Sequence, residues 1–390
     1  MPGTALHNQL VREFEQTFDA AARVAARAPG RVEVLGNHTD YNEGVVLSAA
    51  IDMDMIFLAA PSDTPECCLM AGDLHEQVTF DIRDPRRDAD RGWANYVIGV
   101  AAGLSAVAKP TRGFKGLFRS NIPMGAGLSS SAALEMACGV ALCALYGVDL
   151  DPHDLAYIGQ KAEHDFVGVK CGLLDQFSSL FGRAGHLVMS DFRTLQVEQV
   201  PLGEDACFLV CNTKAQHALS DGVYNERRTS CESAAAAFAD LLQRPVKALR
   251  DVSWAEWEQH ESQLDPVAAK RAAHIIGENE RVLNGRELLN AGDLGSFGKL
   301  MFASHQSSIE RFENSCVELD ALVETARSIP GVLGARLSGG GFGGSVVVLL
   351  HPRDVETASK ALQSAYRDKF GHVCDIRIIT PSDGASRVEA

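Results

Sequence analysis

Residues 123–148 read "PMGAGLSSSAALEMACGVALCALYGV": a proline, two glycines and three consecutive serines lead into a run of small and apolar residues. The run from 131 to 148 contains Glu135 and is too short and too rich in small residues to span a bilayer. It predicts a buried helix, and a buried helix needs a large body of chain around it. With 390 residues, 46% hydrophobic and 22% charged, the chain can supply that body, and two domains are the default expectation.

The turn itself points to an anion. Gly125 and Gly127 let backbone approach a ligand closely and take positive φ. Ser129, Ser130 and Ser131 stand at the helix start, where unpaired N–H groups and the helix dipole favour negative charge. A serine hydroxyl there can also hold a metal ion that bridges phosphates; the plain alternative is an ordinary serine N-cap. A Walker loop would need GxxxxGK[ST], and no lysine follows. A dinucleotide turn would need GxGxxG; this is GxGxxS, with Asp149 at a fitting distance but with Pro123 and several strands before it. A second cluster, "SGGGFGG" at 338–344, does contain GxGxxG. The apolar run "SVVVLL" follows it, a strand and not a helix, so it reads as a backbone loop that approaches another loop or a phosphate.

The net charge of −15 argues against nucleic acid and anionic membrane surfaces as partners, because both attract basic patches. An anionic ligand would need local positive potential from arginines, helix N-termini or a metal. Ten scattered cysteines without a CxxC, and no signal peptide, predict a reduced cytoplasmic protein with inert thiols.

Hydrophobic periodicity predicts an amphipathic helix over 5–27, where Leu10, Phe14, Phe18 and Ala22 recur. "RVEVLG", "GVVLSAAIDMDMIFLAA", "EQVTFDIRD" (near an edge), "GFKGLFRSNI", "GHLVMSDFR" and "ACFLVCNTK" read as strands. Helices are expected from about Trp93, over 151–167, over 221–243 and through most of 251–328. Strand, glycine loop, strand, a helix over 353–370 and a last strand "VCDIRIIT" close the chain. The absence of a regular βαβ count favours α+β over a doubly wound sheet, with a boundary near 195–205 around Pro201-Leu202-Gly203.

Four stretches in order resemble the galactokinase family of GHMP-type small-molecule kinases. "GRVEVLGNHTDYNEG" (30–44) resembles the family's N-terminal signature, roughly GRVN-apolar-IGEHTDYN-x-G, and "PMGAGLSSSAA" its phosphate loop. "AEHDFVGVKCGLLDQFSSLFG" (162–182) resembles the segment with the catalytic aspartate, and "RLSGGGFGGSVVVLL" the C-terminal glycine loop. The similarity covers nearly the whole chain. It implies a two-domain α+β fold: a ribosomal-protein-S5-like N-terminal domain (1–200), a ferredoxin-like C-terminal domain (201–390), and the active site in the cleft between them.

The implied reaction moves the γ-phosphoryl group of ATP, with Mg2+, to a sugar hydroxyl, most simply O1 of D-galactose. By resemblance Asp175 is the catalytic carboxylate, orienting or deprotonating the hydroxyl, and Arg31 sits near it and the phosphate. Read alone, these two residues would be a helix cap and a surface cation. The resemblance gives Mg2+ to Ser130 or Ser131 with Glu163, and the adenine to Trp93 and Tyr96, otherwise ordinary core aromatics. The sugar falls to Glu33, Asn37, His38, Asp40, Gly172 and Tyr224. Gly125, Gly127, Ser129, Gly340 and Gly341 bring backbone or hydroxyl to the nucleotide. The partners expected are the sugar and ATP, with no nucleic acid and no membrane, and a monomer is favoured over an obligate oligomer.

One pair departs from the family pattern. The signature has asparagine where this chain has Glu33, and glutamate where it has Asn37. If 31–37 is extended, positions 33 and 37 share a face, so the site keeps one carboxylate and one amide in exchanged places. Either galactose is still bound by a rearranged shell, or the sugar differs at or near C6 or has a bulkier neighbour, an alteration at C6 or C2. The remaining alternatives are another GHMP kinase (for mevalonate, homoserine or a sugar acid) and a non-catalytic sugar sensor, which the intact "GLSSSAA", Arg31 and Asp175 argue against.

Overall fold

In the computed structural model, which describes residues 2–216 and 220–390, two antiparallel-rich sheets divide the chain. The first is built from β1 (Val24–Leu35), β2 (Val45–Pro61), β3 (Glu66–Ala71), β4 (Glu76–Asp81) and β5 (Phe114–Ser120). β6 (His186–Asp191) and β7 (Gln196–Pro201) extend it, in the order β1-β2-β5-β3-β4 with β6 paired to β2. Only the β3–β5 pairing is parallel, and β4 is an edge strand, as its alternation predicts. The second sheet has β8 (Cys207–Gln216), β9 (Val332–Ser338), β10 (Gly343–Leu350) and β11 (Asp375–Ile379) in the order β11-β8-β10-β9. A last short strand, β12 (Ser386–Val388), crosses back and pairs with β1.

Strand alternation sorts the first sheet's side chains. Ala26, Ala28 and Phe57 enter the main core, whereas Ala25, Ile56, Leu58 and Leu117 face α1 (Pro2–Phe18) through Leu10 and Phe14. The main core is roofed by α2 (Ala94–Ala108) and α3 (Ser130–Tyr146), both apolar on nearly every side. α4 (Pro152–Ala162) and α5 (Leu174–Phe181) flank α3. A separate helical layer holds α6 (Ser220–Leu242), α7 (Trp254–His260) and α8 (Pro266–Asn290). α9 (Leu294–Ser307), α10 (Val317–Ser328) and α11 (Val355–Phe370) complete the molecule, α9 and α10 packing on β9.

The periodicity reading over 5–27 is corrected at its end. The first helix stops at Phe18, and residues from Val24 already belong to β1, because "VAARAPG" is buried as a strand between β2 and β12. Four short elements, β3, β7, α5 and β12, lie where no element is read from the sequence. The alanine-rich α2 and α3, by contrast, start within a residue or so of the expected positions. Among the described residues no helix is long and apolar enough to cross a membrane.

Candidate active site

The ends of β1, β9, α3 and α5 converge on one cavity of about 330 Å³. β1 delivers Arg31 and Glu33, and the turn after it delivers Asn37, His38 and Asp40. Ser131, Glu163, Gly172 and Asp175 line the opposite wall, and Tyr224, Gly340 and Gly341 close the end.

Asp175 sits in the first turn of α5, where the dipole favours a carboxylate. Its Oδ1 accepts from Arg31 Nε at 2.7 Å and Nη2 at 2.6 Å. Its Oδ2 accepts from the Ser129 hydroxyl. Arg31 Nη1 also donates to the Gly127 carbonyl at 2.6 Å, so one guanidinium ties the carboxylate to the glycine-serine loop. Ser129 has φ 55° and its side chain does not cap α3. The first-turn N–H groups of that helix are thus left without a side-chain cap, the arrangement that receives phosphate. Gly125 and Gly127 both have positive φ, at 69° and 71°.

Ser131 Oγ lies 3.4 Å from Glu163 Oε1. Burial, then the charge of Asp175, pushes the Glu163 carboxyl up to about 7. Glu163 opens a π turn over 163–167 that ends at Gly168, φ 97°, and sends the chain back towards α5. A hydroxyl beside a desolvated carboxylate offers hard oxygen donors and fits a small divalent cation. Among the described residues no group of three or more His, Cys, Asp or Glu could hold a metal by itself, so phosphate oxygens and water would complete the shell.

The opposite wall is a polar network centred on Asn37 and Glu33. Asn37 Nδ2 donates to Glu33 Oε1 at 2.9 Å and to the Gly339 carbonyl at 2.8 Å, and Asn37 Oδ1 accepts from Asn314 Nδ2 at 2.9 Å. Glu33 Oε1 also accepts from Arg336 Nη1 at 2.8 Å, an ion pair with both partners buried. The segment is not extended through 37, since β1 ends at Leu35 and Gly36 takes φ 99°, but the turn still brings the two side chains into a direct hydrogen bond. His38 Nε2 lies 3.0 Å from the Gly340 carbonyl, which can only accept, so Nε2 carries the proton and Nδ1 accepts from Tyr41 Oη at 2.8 Å. Burial lowers His38 to about 4, and the ring is neutral. It stands 5.1 Å from the Tyr224 ring and 4.5 Å from Phe312. Asp40 is pushed up to about 7, first by desolvation and then by Glu33. A Cβ on Gly172 would overlap the Asp40 carboxylate, so only glycine permits this approach. At Gly341, φ 83°, a Cβ would strike the Asn314 carbonyl.

Trp93 and Tyr96 lie outside the cavity, at the start of α2. Trp93 Nε1 donates to Glu76 at 2.7 Å, and its ring packs 5.7 Å from Phe118. Ser130 opens α3 without lining the cavity.

Several residues that hold this site escape a reading of the sequence. Glu278 on α8 is completely buried, and its Oε2 accepts from the Gly36 and Asn37 N–H groups at 2.9 and 2.8 Å. Burial works against its charge, but Arg281, His274 and Arg336 hold its carboxyl well below the usual range. His274, one turn earlier, donates from Nε2 to the Asn37 carbonyl at 3.2 Å, and Asn279 Oδ1 accepts from Val45 N–H at 3.0 Å. The spacing of 274 and 278 on a helix that also carries Ala272, Ile275, Ile276 and Val282 was the available signal. Arg336 and Asn314 carry no comparable local signature.

Three family models match the chain: the galactokinase galactose-binding signature over residues 12–61, the GHMP kinases N terminal domain over 95–183, and the GHMP kinases C terminal domain over 286–368. The galactokinase of a Roseiflexus species is 39% identical over 380 residues, covering 97% of each chain. That of Chloroflexus aurantiacus is 39% identical over 98% of this chain and 97% of its own. The crystal structure of Lactococcus lactis galactokinase complexed with galactose superposes with a TM-score of 0.93 at 32% identity, covering 98% of this chain and all of that one. A mevalonate kinase shares the fold at a TM-score of 0.64 and 18% identity.

Proposed function

The chain belongs to the galactokinase family, and on that premise we propose how its own residues carry out the family's reaction. The enzyme phosphorylates galactose with ATP, within the two-domain GHMP kinase fold. We place the transfer at the anomeric O1.

The observation that carries the assignment is the Asp175 carboxylate, held by Arg31 on one oxygen and Ser129 on the other at the wall of the cavity. Oδ1 is filled by its two Arg31 donors, whereas Oδ2, which accepts only from Ser129 here, keeps a lone pair for an incoming hydroxyl. Asp175 orients that hydroxyl and takes its proton as the O–P bond forms, while Arg31 bears the charge on the transferring phosphoryl oxygens. The free N–H groups at the start of α3 and the loop at Gly125 and Gly127 receive the phosphates. Ser130 or Ser131 with Glu163 would hold Mg2+, which when bound neutralises charge between the phosphates.

Asp40 accepts sugar hydroxyls, since it lines the cavity and its conformation is locked by Gly172. Both His38 ring nitrogens are engaged by protein, so His38 meets the sugar through its ring beside Tyr224. The two Asn37 N–H donors are likewise spent on Glu33 and Gly339, which makes Glu33 and Asn37 one unit that shapes the wall. Trp93 and Tyr96 remain the proposed adenine neighbours. We divide the chain at about residue 200 and read it as a cytoplasmic monomer.

An ADP-release assay over galactose, glucose, N-acetylgalactosamine, galacturonate and 6-deoxygalactose tests the substrate. Asp175→Ala is expected to lower kcat by roughly 10²–10⁴-fold, with Arg31→Ala comparably impaired. Full activity in Asp175→Ala would reject the mechanism, and equal rates with all five sugars would reject a C6-reading wall.

A further inference from the structure

Three helices carry the proposed reactive groups, and they meet at one buried polar pair outside the lining of the cavity described above. Glu135 lies on α3 one turn after Ser131, and Gln176 follows Asp175 on α5; both are fully buried. Gln176 Nε2 donates to Glu135 Oε2 at 2.9 Å. The third helix closes over them at Gly159, one turn before Glu163, where a Cβ would stand 3.0 Å from Glu135 Oε2 and 3.2 Å from Gln176 Cγ. Ser131, Glu163 and Asp175 are thus each a turn or less from this junction.

The pair is short of one donor. Among the described residues, Glu135 Oε1 and Gln176 Oε1 are both buried with no hydrogen-bond partner. A buried acceptor left without a donor carries a desolvation penalty that nothing offsets. A single proton on Glu135 would serve both, because a carboxylic acid donates from one oxygen and accepts on the other.

We propose that Glu135 is a positioning residue kept as the neutral acid. Its Oε1–H donates to Gln176 Oε1 while Gln176 Nε2 donates to its Oε2, and this two-point clamp keeps the phosphate-loop serines in register with Asp175. Its surroundings agree: burial, then the Glu163 and Asp175 carboxylates, push the Glu135 carboxyl well above the ordinary range. The proposal rests on the roles given above to Ser131 and Asp175, but its decisive readouts do not depend on them.

The test compares wild type, Glu135→Gln, Glu135→Leu and Gln176→Leu. An infrared difference spectrum, wild type minus Glu135→Gln at neutral pH, should show the carbonyl stretch of a protonated carboxylic acid. Glutamine at 135 can make both hydrogen bonds, so Glu135→Gln should keep kcat within about threefold. The leucine variants should lower kcat by roughly tenfold or more through misplacement of the reacting groups. Their galactose KM should stay within about twofold, since the sugar wall is built elsewhere. Absence of the acid band overturns the proposal. So does a kcat loss in Glu135→Gln equal to that in Glu135→Leu, or a galactose KM that rises in step with the loss. If the leucine variants do not fold, the infrared band and the glutamine variant decide. Full activity in Asp175→Ala would remove the catalytic roles while leaving the infrared result intact.

Discussion

Arg336 is completely buried, and of its guanidinium nitrogens Nη1 reaches Glu33 while Nε and Nη2 find no partner among the described residues. The exchanged carboxylate at position 33 is therefore the counter-charge of a core arginine. Glu33→Asn should cost about 3–5 kcal/mol by stranding that charge. Asn37→Glu sets a second carboxylate against the first and should also destabilise. The double exchange keeps one carboxylate within reach of Arg336, so the cycle should show a favourable coupling of about 1–3 kcal/mol in urea unfolding. Additive single effects would mean that the two positions do not act as a unit.

Asp40 carries a pH signature. Burial pushes its carboxyl up to about 7, above the ordinary 3.8, so the folded state holds a proton that the unfolded chain has released. Stability then falls as pH rises from about 4 to about 7 and stays lower above it. Asp40→Asn should raise Tm relative to wild type at pH 8, with the gap closing towards pH 4, while kcat/KM for galactose drops. In wild type, kcat/KM for galactose should climb between pH 6 and 8 as the carboxylate ionises among Glu33, Asp175 and Arg228. A flat profile in both measurements would contradict this account.

At the scale of elements, α8 is the support of the signature turn. Glu278 accepts from Gly36, Asn37, Ser304 and Arg281 at once. Glu278→Gln turns an acceptor into a donor facing N–H groups and leaves Arg281 without its counter-ion, which should cost about 2–5 kcal/mol. A loss below about 0.5 kcal/mol in chemical unfolding, the range of ordinary surface substitutions, would show that the turn is held by something else. The helices that are apolar on every side were legible in the sequence, because small and aliphatic residues without breakers allow little else. The π turn at 163–167 and the one-turn helix start around Asp175 were not, since each is set by the partner against which it packs.

At the scale of the molecule, the two sheets are joined through the site. Glu33 N–H donates to Ser338 Oγ at 2.9 Å, and Ser345 Oγ donates to the Ala126 carbonyl at 2.6 Å, so the C-terminal glycine loop braces both β1 and the phosphate loop. The tail ties the halves a second time: β12 covers the edge of β1, and Ser382 N–H donates to the Ala50 carbonyl at 3.0 Å. Truncation after Ile379 should lower Tm by several degrees and promote association through the bared β1 edge, seen as a larger species in light scattering. Unchanged Tm and a monodisperse monomer would show that the tail is dispensable.

The order of motifs along the chain was enough to identify the family, the phosphate loop and the candidate carboxylate, because each depends on residues close in sequence with distinctive backbone and hydrogen-bonding needs. β1 ends at Leu35 and Gly36 takes φ 99°, so the turn and not a strand period brings Glu33 and Asn37 together; the sequence offered only that they share a face if 31–37 is extended. It could not show that both are spent on Arg336, Asn314 and Gly339, which lie about 280 to 300 residues away. Nor could it show that Glu135 and Gln176 meet. Buried polar partners are chosen by the packing of distant elements, and only the tertiary structure decides which donor each acceptor finds.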